Sequence, residues 1–301
     1  MKRQIKELLK SICLLPYYFS NLTIGAASIF SIRIQELAYD YQLKYLDSQK
    51  KSIKHMASNS KSISLTLFTP NSLCKFRAET FSTKEPETLL WIEEFGSDSA
   101  LLFDIGANIG LYSLYHNIMN NGESIAFEPS FFNLKLLIKN ININSCQNLT
   151  TVVTNPLSDK EGINNFKYGS SAEGGAMSAF GVNYGFDGNQ IDLDLEMNVI
   201  GMSLDWMFQN NILSDVPDLM KIDVDGIEHL ILRGAINLLK ESKLKSILVE
   251  VNDDFEDQRK NVQDLLDESG FFLRNKLHSE MVDNSTNYSQ TYNQIWVRGD
   301  N

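Results

Sequence analysis

Polar side chains that could do chemistry occur in this 301-residue chain where predicted strands end. The first group lies in the segment DIGANIG, where Asp104, Gly106, Asn108 and Gly110 follow an apolar run. Glycines at such a turn let a ligand approach the backbone closely, and the helix that follows begins with free N–H groups. The G-x-x-x-G spacing differs from the G-x-G-x-x-G of a dinucleotide site. The carboxylate of Asp104 would also repel a pyrophosphate, so this segment favours a cationic ligand.

The second group is a single carboxylate, Glu128, at the end of the next predicted strand in the sequence AFEP. It follows Asp104 by 24 residues. A nucleotide-binding fold places an acidic residue for the ribose hydroxyls about 20 residues after its first turn. The two motifs together indicate a nucleoside-binding site, with a surface helix cap as the alternative role for Glu128.

The third group is the apolar strand KIDVDG, which carries Lys221, Asp223 and Asp225 at alternate positions. Alternate positions of a strand face the same side of the sheet. Ionisable groups in a buried strand are costly unless they are paired or functional. This pattern predicts either a functional site or an ion-pair network around Lys221.

The elements that position these groups follow from hydrophobic periodicity. Short apolar strands alternate with amphipathic helices from Leu101 onward, which indicates a parallel sheet covered by helices on both faces. Two strands without a helix between them end the chain and predict an antiparallel hairpin. The glycine-rich residues 160–200 break the alternation and predict an insertion, a hairpin with a mobile loop over the site.

Charge divides the chain into two predicted parts. Residues 1–61 carry a net charge of about +6 and residues 62–301 a net charge of −17. We therefore predict a basic, helical N-terminal extension over 1–61, with a helix over 33–57, and one domain over 62–301. The uncharged residues 11–32 fit a helical accessory segment, a membrane-surface attachment, or a membrane span or signal peptide.

Composition excludes some classes of function. The chain has 27 basic and 38 acidic residues, a formal net charge of −11, which disfavours binding of nucleic acid through its phosphates. Its three cysteines are far apart and show no disulfide or zinc spacing, which favours a reducing compartment. We therefore predict a cytoplasmic protein, with peripheral membrane contact through the N-terminal segment left open.

The chain from about Phe76 to Arg298 resembles the FkbM family of S-adenosylmethionine-dependent methyltransferases. The matching stretches are KEPETLLWIEEF, FDIGANIGLYSL, AFEPSFFNLKLLIKN, NPLSD, KIDVDGIEHLILRGA and ILVEVN. The resemblance implies an α/β fold with a seven-stranded, Rossmann-like class I methyltransferase sheet. It also implies methylation of hydroxyl groups on sugars and secondary metabolites, with S-adenosyl-L-methionine as cofactor. The family usually carries Glu, one methylene longer, where this chain has Asp225.

The resemblance also implies roles for individual residues. Asp104, Gly106, Asn108 and Gly110 would hold the methionine and sulfonium part of the cofactor, and Glu128 would bind the ribose hydroxyls. Ser158 and Asp159 would lie near the adenine. Asp223 and Asp225 would face the methyl group and the acceptor.

A hydroxyl acceptor needs a base to take its proton, and the candidates are Asp223, Asp225 and His229. A solvated helix histidine is the alternative role for His229. A divalent ion on Asp223, Asp225 and Glu250 is permitted by the sequence, but we predict no metal site. The expected partner is a small-molecule or glycan acceptor. An NAD-dependent oxidoreductase and a non-catalytic binding protein with this fold are the competing functions.

Overall fold

The computed structural model describes residues 32–278 and 288–299, together with Phe19, Asn21, Leu22 and Met281. The chain divides into two compact units, Met1–Gln49 and Lys50–Asn301. In the first unit, helix α1 spans Ile32–Ser48. Among the described residues, no helix has the length and apolarity that crossing a membrane requires. The predicted apolar segment at 11–32 lies largely outside the described residues.

The second unit begins with a hairpin, β1 (Lys50–Met56) and β2 (Ser62–Phe68), whose strands pair antiparallel. The helix predicted over 33–57 is therefore wrong for its last part. Lys50–Met56 instead pairs with β2 at seven positions and buries Ile53 on the hairpin's inner face. The boundary between units accordingly lies at Gln49 and Lys50 rather than at 61 and 62.

A seven-stranded sheet forms the centre of this unit. Its strands are β3 (Leu101–Ile105), β4 (Glu123–Phe127), β5 (Thr150–Val153), β9 (Leu219–Ile222), β10 (Ser246–Asn252), β11 (Phe271–Leu277) and β12 (Thr291–Arg298). They lie in the order β11-β12-β10-β9-β3-β4-β5. All run in the same direction except β12, which lies antiparallel between β10 and β11. The predicted sheet and its final hairpin are thus confirmed.

Helices cover both faces of this sheet, as predicted. They are α2 (Ser72–Glu79), α3 (Pro86–Phe95), α4 (Leu111–Asn120), α5 (Phe131–Ile143), α6 (Leu204–Gln209), α7 (Glu228–Arg233) and α8 (Glu256–Glu268). Along β3, Leu102 belongs to the apolar cluster under α3 and α4, whereas Phe103 belongs to the cluster under α6, α7 and α8. This alternation follows from the period of a strand.

Helix α7 is short. It ends at Arg233, and a separate 3₁₀ turn forms over Leu238–Lys240. Between them, Gly234 passes close to Ser158, where an added Cβ would lie 2.2 Å from the backbone oxygen. Asp205 then accepts hydrogen bonds from the backbone N–H groups of Asn237 and Leu238.

The predicted insertion at 160–200 forms a second sheet, in the order β7-β6-β8. Its antiparallel strands are β6 (Gly162–Tyr168), β7 (Ser178–Phe180) and β8 (Leu195–Gly201). The predicted hairpin is therefore part of a three-stranded sheet. The glycine-rich segment between β6 and β7 reaches the candidate site.

Candidate functional site

A cavity of about 530 Å³ lies at the carboxyl ends of β3, β4, β9 and β10. Ligands of open α/β sheets bind at this edge, and pockets of this kind measure about 300–1,000 Å³. Among the described residues, six carboxylates and four basic side chains line it. These are Glu85, Glu87, Glu128, Asp223, Asp225, Glu250, Arg77, Lys84, Lys221 and His278. The wall of the cavity is therefore acidic.

The turn after β3 is fixed by its own backbone. Gly106 has φ +84°, and a Cβ there would lie 1.8 Å from the backbone oxygen of Asp223. The N–H groups of Gly106 and Ala107 both donate to the carbonyl of Phe127, and that of Gly110 donates to Ala107. Four of the five N–H groups from Gly106 to Gly110, including that of Asn108 described next, are thus used inside the protein.

Glu128 joins this turn to the end of β4. Its Oε2 accepts the N–H of Asn108 at 2.7 Å, and its Oε1 accepts the N–H of Ser130 at 2.8 Å. Burial raises the pKa of Glu128 to about 7, although these two N–H groups lower it. Its carboxylate lines the cavity and retains acceptor capacity beyond these two bonds, because each oxygen has two lone pairs.

Asp104 and Gly110 support the turn from behind the cavity wall. The Oδ2 atom of Asp104 accepts the N–H and the hydroxyl of Ser113, at 3.0 and 2.6 Å, and so fixes the start of α4. Its Oδ1 is buried without a partner among the described residues. Burial raises the pKa of Asp104, and Lys221 on the adjacent strand opposes this. Gly110 has φ +91° and packs against Leu137.

The strand end after β9 carries an ion pair. Lys221, which is fully buried, donates to the Oδ2 of Asp223 at 2.7 Å, and its ammonium lies 4.9 Å from the ring centre of Tyr112. Burial lowers the pKa of Lys221, but Asp223 and Asp104 raise it above its ordinary value. The network predicted around Lys221 therefore exists, and Asp223 also faces the cavity.

Asp225 holds a segment that we name the strap, Ser170–Ser178. Its Oδ2 accepts the N–H groups of Met177, at 2.5 Å, and Ser178, at 3.3 Å. On the other side of the cavity, the amide of Asn108 donates to the carbonyl of Gly175 at 2.7 Å. Burial, followed by the nearby Asp223, raises the pKa of Asp225 to about 6.

Besides Asp104 and Gly110, three further residues predicted for the site, Ser158, Asp159 and His229, do not line the cavity. His229 lies beside Phe255 with its Nδ1 unpartnered among the described residues, and burial lowers its pKa to about 4. Asp159 lies 3.6 Å from Arg233 in an ion pair, and the N–H of Ser158 donates to Met202. The neighbouring segment 155–157 lines the cavity in their place.

Other polar residues of the site carry no role in the sequence analysis. Glu85 accepts a hydrogen bond from the hydroxyl of Tyr112 at 2.6 Å and pairs with Lys84. Burial raises the pKa of Glu85, but Lys84 and Lys221 lower it further, to below its ordinary value. Glu250, considered above only as a metal ligand, lines the cavity as well. The described residues contain no group of three or more His, Cys, Asp or Glu side chains arranged to hold a metal ion.

Comparison with known proteins identifies a family. The family model described as the methyltransferase FkbM domain matches residues 104–283, more than half of the chain. The matched range contains Glu128, Asp223, Asp225 and Glu250 of the cavity wall. The sequence matches no curated protein.

Several solved structures are similar in form. The methyltransferase FkbM of Methylobacillus flagellatus is 16% identical to this chain, with a TM-score of 0.44. The match covers 75% of this chain and 52% of that protein. The chain thus spans about half the length of that protein. The precorrin-6y C5,15-methyltransferase of Geobacter metallireducens is 13% identical, with a TM-score of 0.42 and coverages of 74% and 89%. An rRNA methylase of Streptococcus thermophilus is 10% identical, with a TM-score of 0.43 and coverages of 71% and 95%.

The close approach at Gly106 predicts the effect of a single methyl group. Gly106→Ala should lower the free energy of unfolding more than Gly270→Ala, measured by urea unfolding. Gly270 has φ +83°, nearly that of Gly106, but its added Cβ would meet nothing nearer than 4.0 Å. The strain of positive φ, about 1 kcal/mol, is therefore common to both variants, and the clash with Asp223 is added only at Gly106. Equal losses would show that the turn does not pack on Asp223.

The pKa of Glu128 predicts a dependence of stability on pH. Its value in the folded chain, about 7, lies above the ordinary 4.5, so the folded state holds this proton more tightly. Stability from this group is complete below about pH 4.5 and is lost as the pH rises through 7. Relative to Glu128→Gln, the wild type should therefore lose about 1–3 kcal/mol between pH 4.5 and 8 in urea unfolding. The exposed Glu196→Gln serves as control, and a difference that is constant with pH would refute the prediction.

Proposed function

Because the chain belongs to the methyltransferase FkbM family, we propose that it transfers a methyl group from S-adenosylmethionine to a hydroxyl group of a sugar, a glycan or a secondary metabolite. The observation that carries the proposal is the closed turn beside an acidic cavity. The N–H groups of Gly106, Ala107, Asn108 and Gly110 are spent inside the protein, which leaves few donors for a pyrophosphate. The carboxylates around the cavity instead favour a ligand that carries positive charge and hydroxyl donors.

The residues present fit this cofactor. The Oδ1 atom of Asn108 is buried at the cavity wall without a partner among the described residues, and so has room to accept a donor. Gly106 lets the turn pack directly on the backbone of Asp223, since an added Cβ would lie 1.8 Å from its oxygen. In this proposal Gly106 and Asn108 hold the methionine part and Glu128 binds the ribose hydroxyls. Asp104 and Gly110 act by fixing the turn.

When bound, S-adenosylmethionine supplies a methyl carbon activated by a positively charged sulfur. The protein must orient the acceptor oxygen and remove its proton. Asp223 fits the role of base best, because its Oδ1 forms no hydrogen bond among the described residues while Oδ2 is held by Lys221. Asp225 uses one oxygen to hold the strap, and His229 lies away from the cavity wall.

The strap has a further role in this proposal. It is held by Asn108 on the cofactor side and by Asp225 on the acceptor side, and Ser170, Gly175 and Met177 line the cavity. A covered site excludes water and strengthens the electrostatic interactions inside it. Asp225 is therefore proposed to position this cover rather than to take the acceptor's proton.

Glu128→Gln tests the cofactor assignment. The full chain should bind S-adenosylmethionine in calorimetry, and Glu128→Gln should weaken that affinity about tenfold or more, because a charged acceptor of the ribose hydroxyls is lost. The exposed Glu196→Gln should bind as the wild type does. Each protein is also titrated with NAD, and thermal unfolding checks that the variants fold. Binding of NAD but not of S-adenosylmethionine by the wild type would contradict the proposal and favour an oxidoreductase.

A further inference from the structure

One end of the cavity contains polar side chains with atoms that lack hydrogen-bond partners among the described residues. Strand β12 contributes Thr291 and Asn293, and strand β10 contributes Glu250 directly opposite Asn293. The register of β10 with β9 pairs Val249 with Ile222, which brings Glu250 level with Asp223. All of these residues line the cavity, and we name Glu250, Thr291 and Asn293 the β12 pocket.

Two buried side chains in the β12 pocket leave polar atoms unpartnered among the described residues. Thr291 and Asn293 are each 5% exposed, and the Oγ1 of Thr291 and the Oδ1 of Asn293 have no hydrogen-bond partner. The amide nitrogen of Asn293 donates to Glu87 at 2.8 Å, which fixes the side chain and leaves its carbonyl without a donor. Buried polar atoms in native proteins are usually satisfied, so these two indicate a ligand that brings donors.

The charge around Glu250 is also unbalanced. Its carboxyl forms no hydrogen bond or ion pair among the described residues. The nearby charges with the largest effect on its pKa are the carboxylates of Asp223, Glu85, Glu228 and Asp225. Burial, followed by these carboxylates, raises the pKa of Glu250 well above its ordinary value.

The lysines and the arginine that line the cavity have other partners than Glu250. Lys84 pairs with Glu85, Lys221 pairs with Asp223, and Arg77 donates to the carbonyl of Gly174. The Nδ1 atom of His278 lies 3.2 Å from the backbone oxygen of Thr291. The described residues also offer no cluster suited to a metal ion. An organic cation would satisfy the carboxyl and the two unpartnered oxygens together, since an ammonium has three donors and no acceptor.

We propose that the acceptor carries an amine beside the hydroxyl that is methylated, as an amino sugar does, and that the β12 pocket holds its ammonium group. This inference rests on the proposed function and names the acceptor class for the same site. Glu250 supplies the counter-charge, while the carbonyl of Asn293 and the hydroxyl of Thr291 accept the remaining donors. Asp223, level with Glu250 on the adjacent strand, then lies beside the neighbouring hydroxyl in this arrangement.

Matched pairs of sugars test the β12 pocket. The full chain, saturated with S-adenosylhomocysteine, is titrated at pH 7 with methyl glycosides of glucosamine, galactosamine and mannosamine and of their neutral counterparts. In the wild type, at least one amine should bind about tenfold or more tightly than its hydroxyl partner, because a charge-assisted hydrogen bond replaces a neutral one. Glu250→Gln should remove this preference, and the exposed Glu196→Gln should keep it.

Thr291→Val is the second variant, in case Glu250→Gln does not fold. Valine is similar in shape to threonine but lacks the hydroxyl that accepts from the ammonium. This variant should therefore reduce the amine preference by a smaller factor, about two- to tenfold. The proposal is overturned if no amine binds more tightly than its neutral partner, or if Glu250→Gln keeps the preference. It is also overturned if Glu250→Gln weakens binding of S-adenosylmethionine but not of S-adenosylhomocysteine, since the carboxyl would then serve the sulfonium.

Failure of the proposed function has a different signature. A wild-type chain that does not bind S-adenosylhomocysteine contradicts the cofactor assignment, whatever the variants of the β12 pocket do. A chain that binds it equally in the wild type and in Glu250→Gln retains that assignment. The ratio of the affinities for the amine and the neutral sugar then tests the β12 pocket independently of cofactor binding.

Discussion

The site depends on one carboxylate that closes a turn. Glu128, at the end of β4, accepts the N–H of Asn108 and so ties the loop after β3 to the adjacent strand. The carbonyl of Phe127 takes two more N–H groups of the same loop. Because these N–H groups already donate within the protein, the loop cannot offer them to a phosphate as a dinucleotide-binding turn does. The loop instead contributes acceptor oxygens and glycine backbone to the cavity wall. Acceptor oxygens suit a cation with hydroxyl groups.

Charge at the neighbouring strand ends follows the same logic. Lys221 compensates Asp223 within the protein, and Lys84 compensates Glu85, but Glu250 has no such partner among the described residues. An uncompensated carboxyl in a half-buried place is costly unless a ligand relieves it. The cavity thus has two regions where acceptor oxygens can take further donors from a ligand, one at Asn108 and Glu128 and one at the β12 pocket. The strap is held by Asn108 at the first region and by Asp225, close to the second.

Features set by local sequence were predictable. Strand β2 (Ser62–Phe68) alternates exposed and buried positions, which is the pattern of a strand with one buried face. The turn at Gly106 also follows from neighbouring residues. Features that need distant partners were not predictable, such as the bond from Met177 to Asp225 across 48 residues. The direction of His229 depends on how α7 packs near Phe255, which its sequence position does not determine. The strand at Lys50–Met56 depends on its pairing with β2, and helical periodicity alone missed it.

In the proposed function, the acidic edge of the sheet binds the adenosyl cation through Glu128. A crystal structure of the full chain with S-adenosylhomocysteine would test this binding mode. We expect the nucleoside in the cavity, with its ribose hydroxyls within hydrogen-bond distance of the Glu128 carboxylate and its amino acid part against Gly106 and Asn108. A ligand bound elsewhere, or ribose hydroxyls held by other residues while Glu128 contacts only the turn, would contradict it.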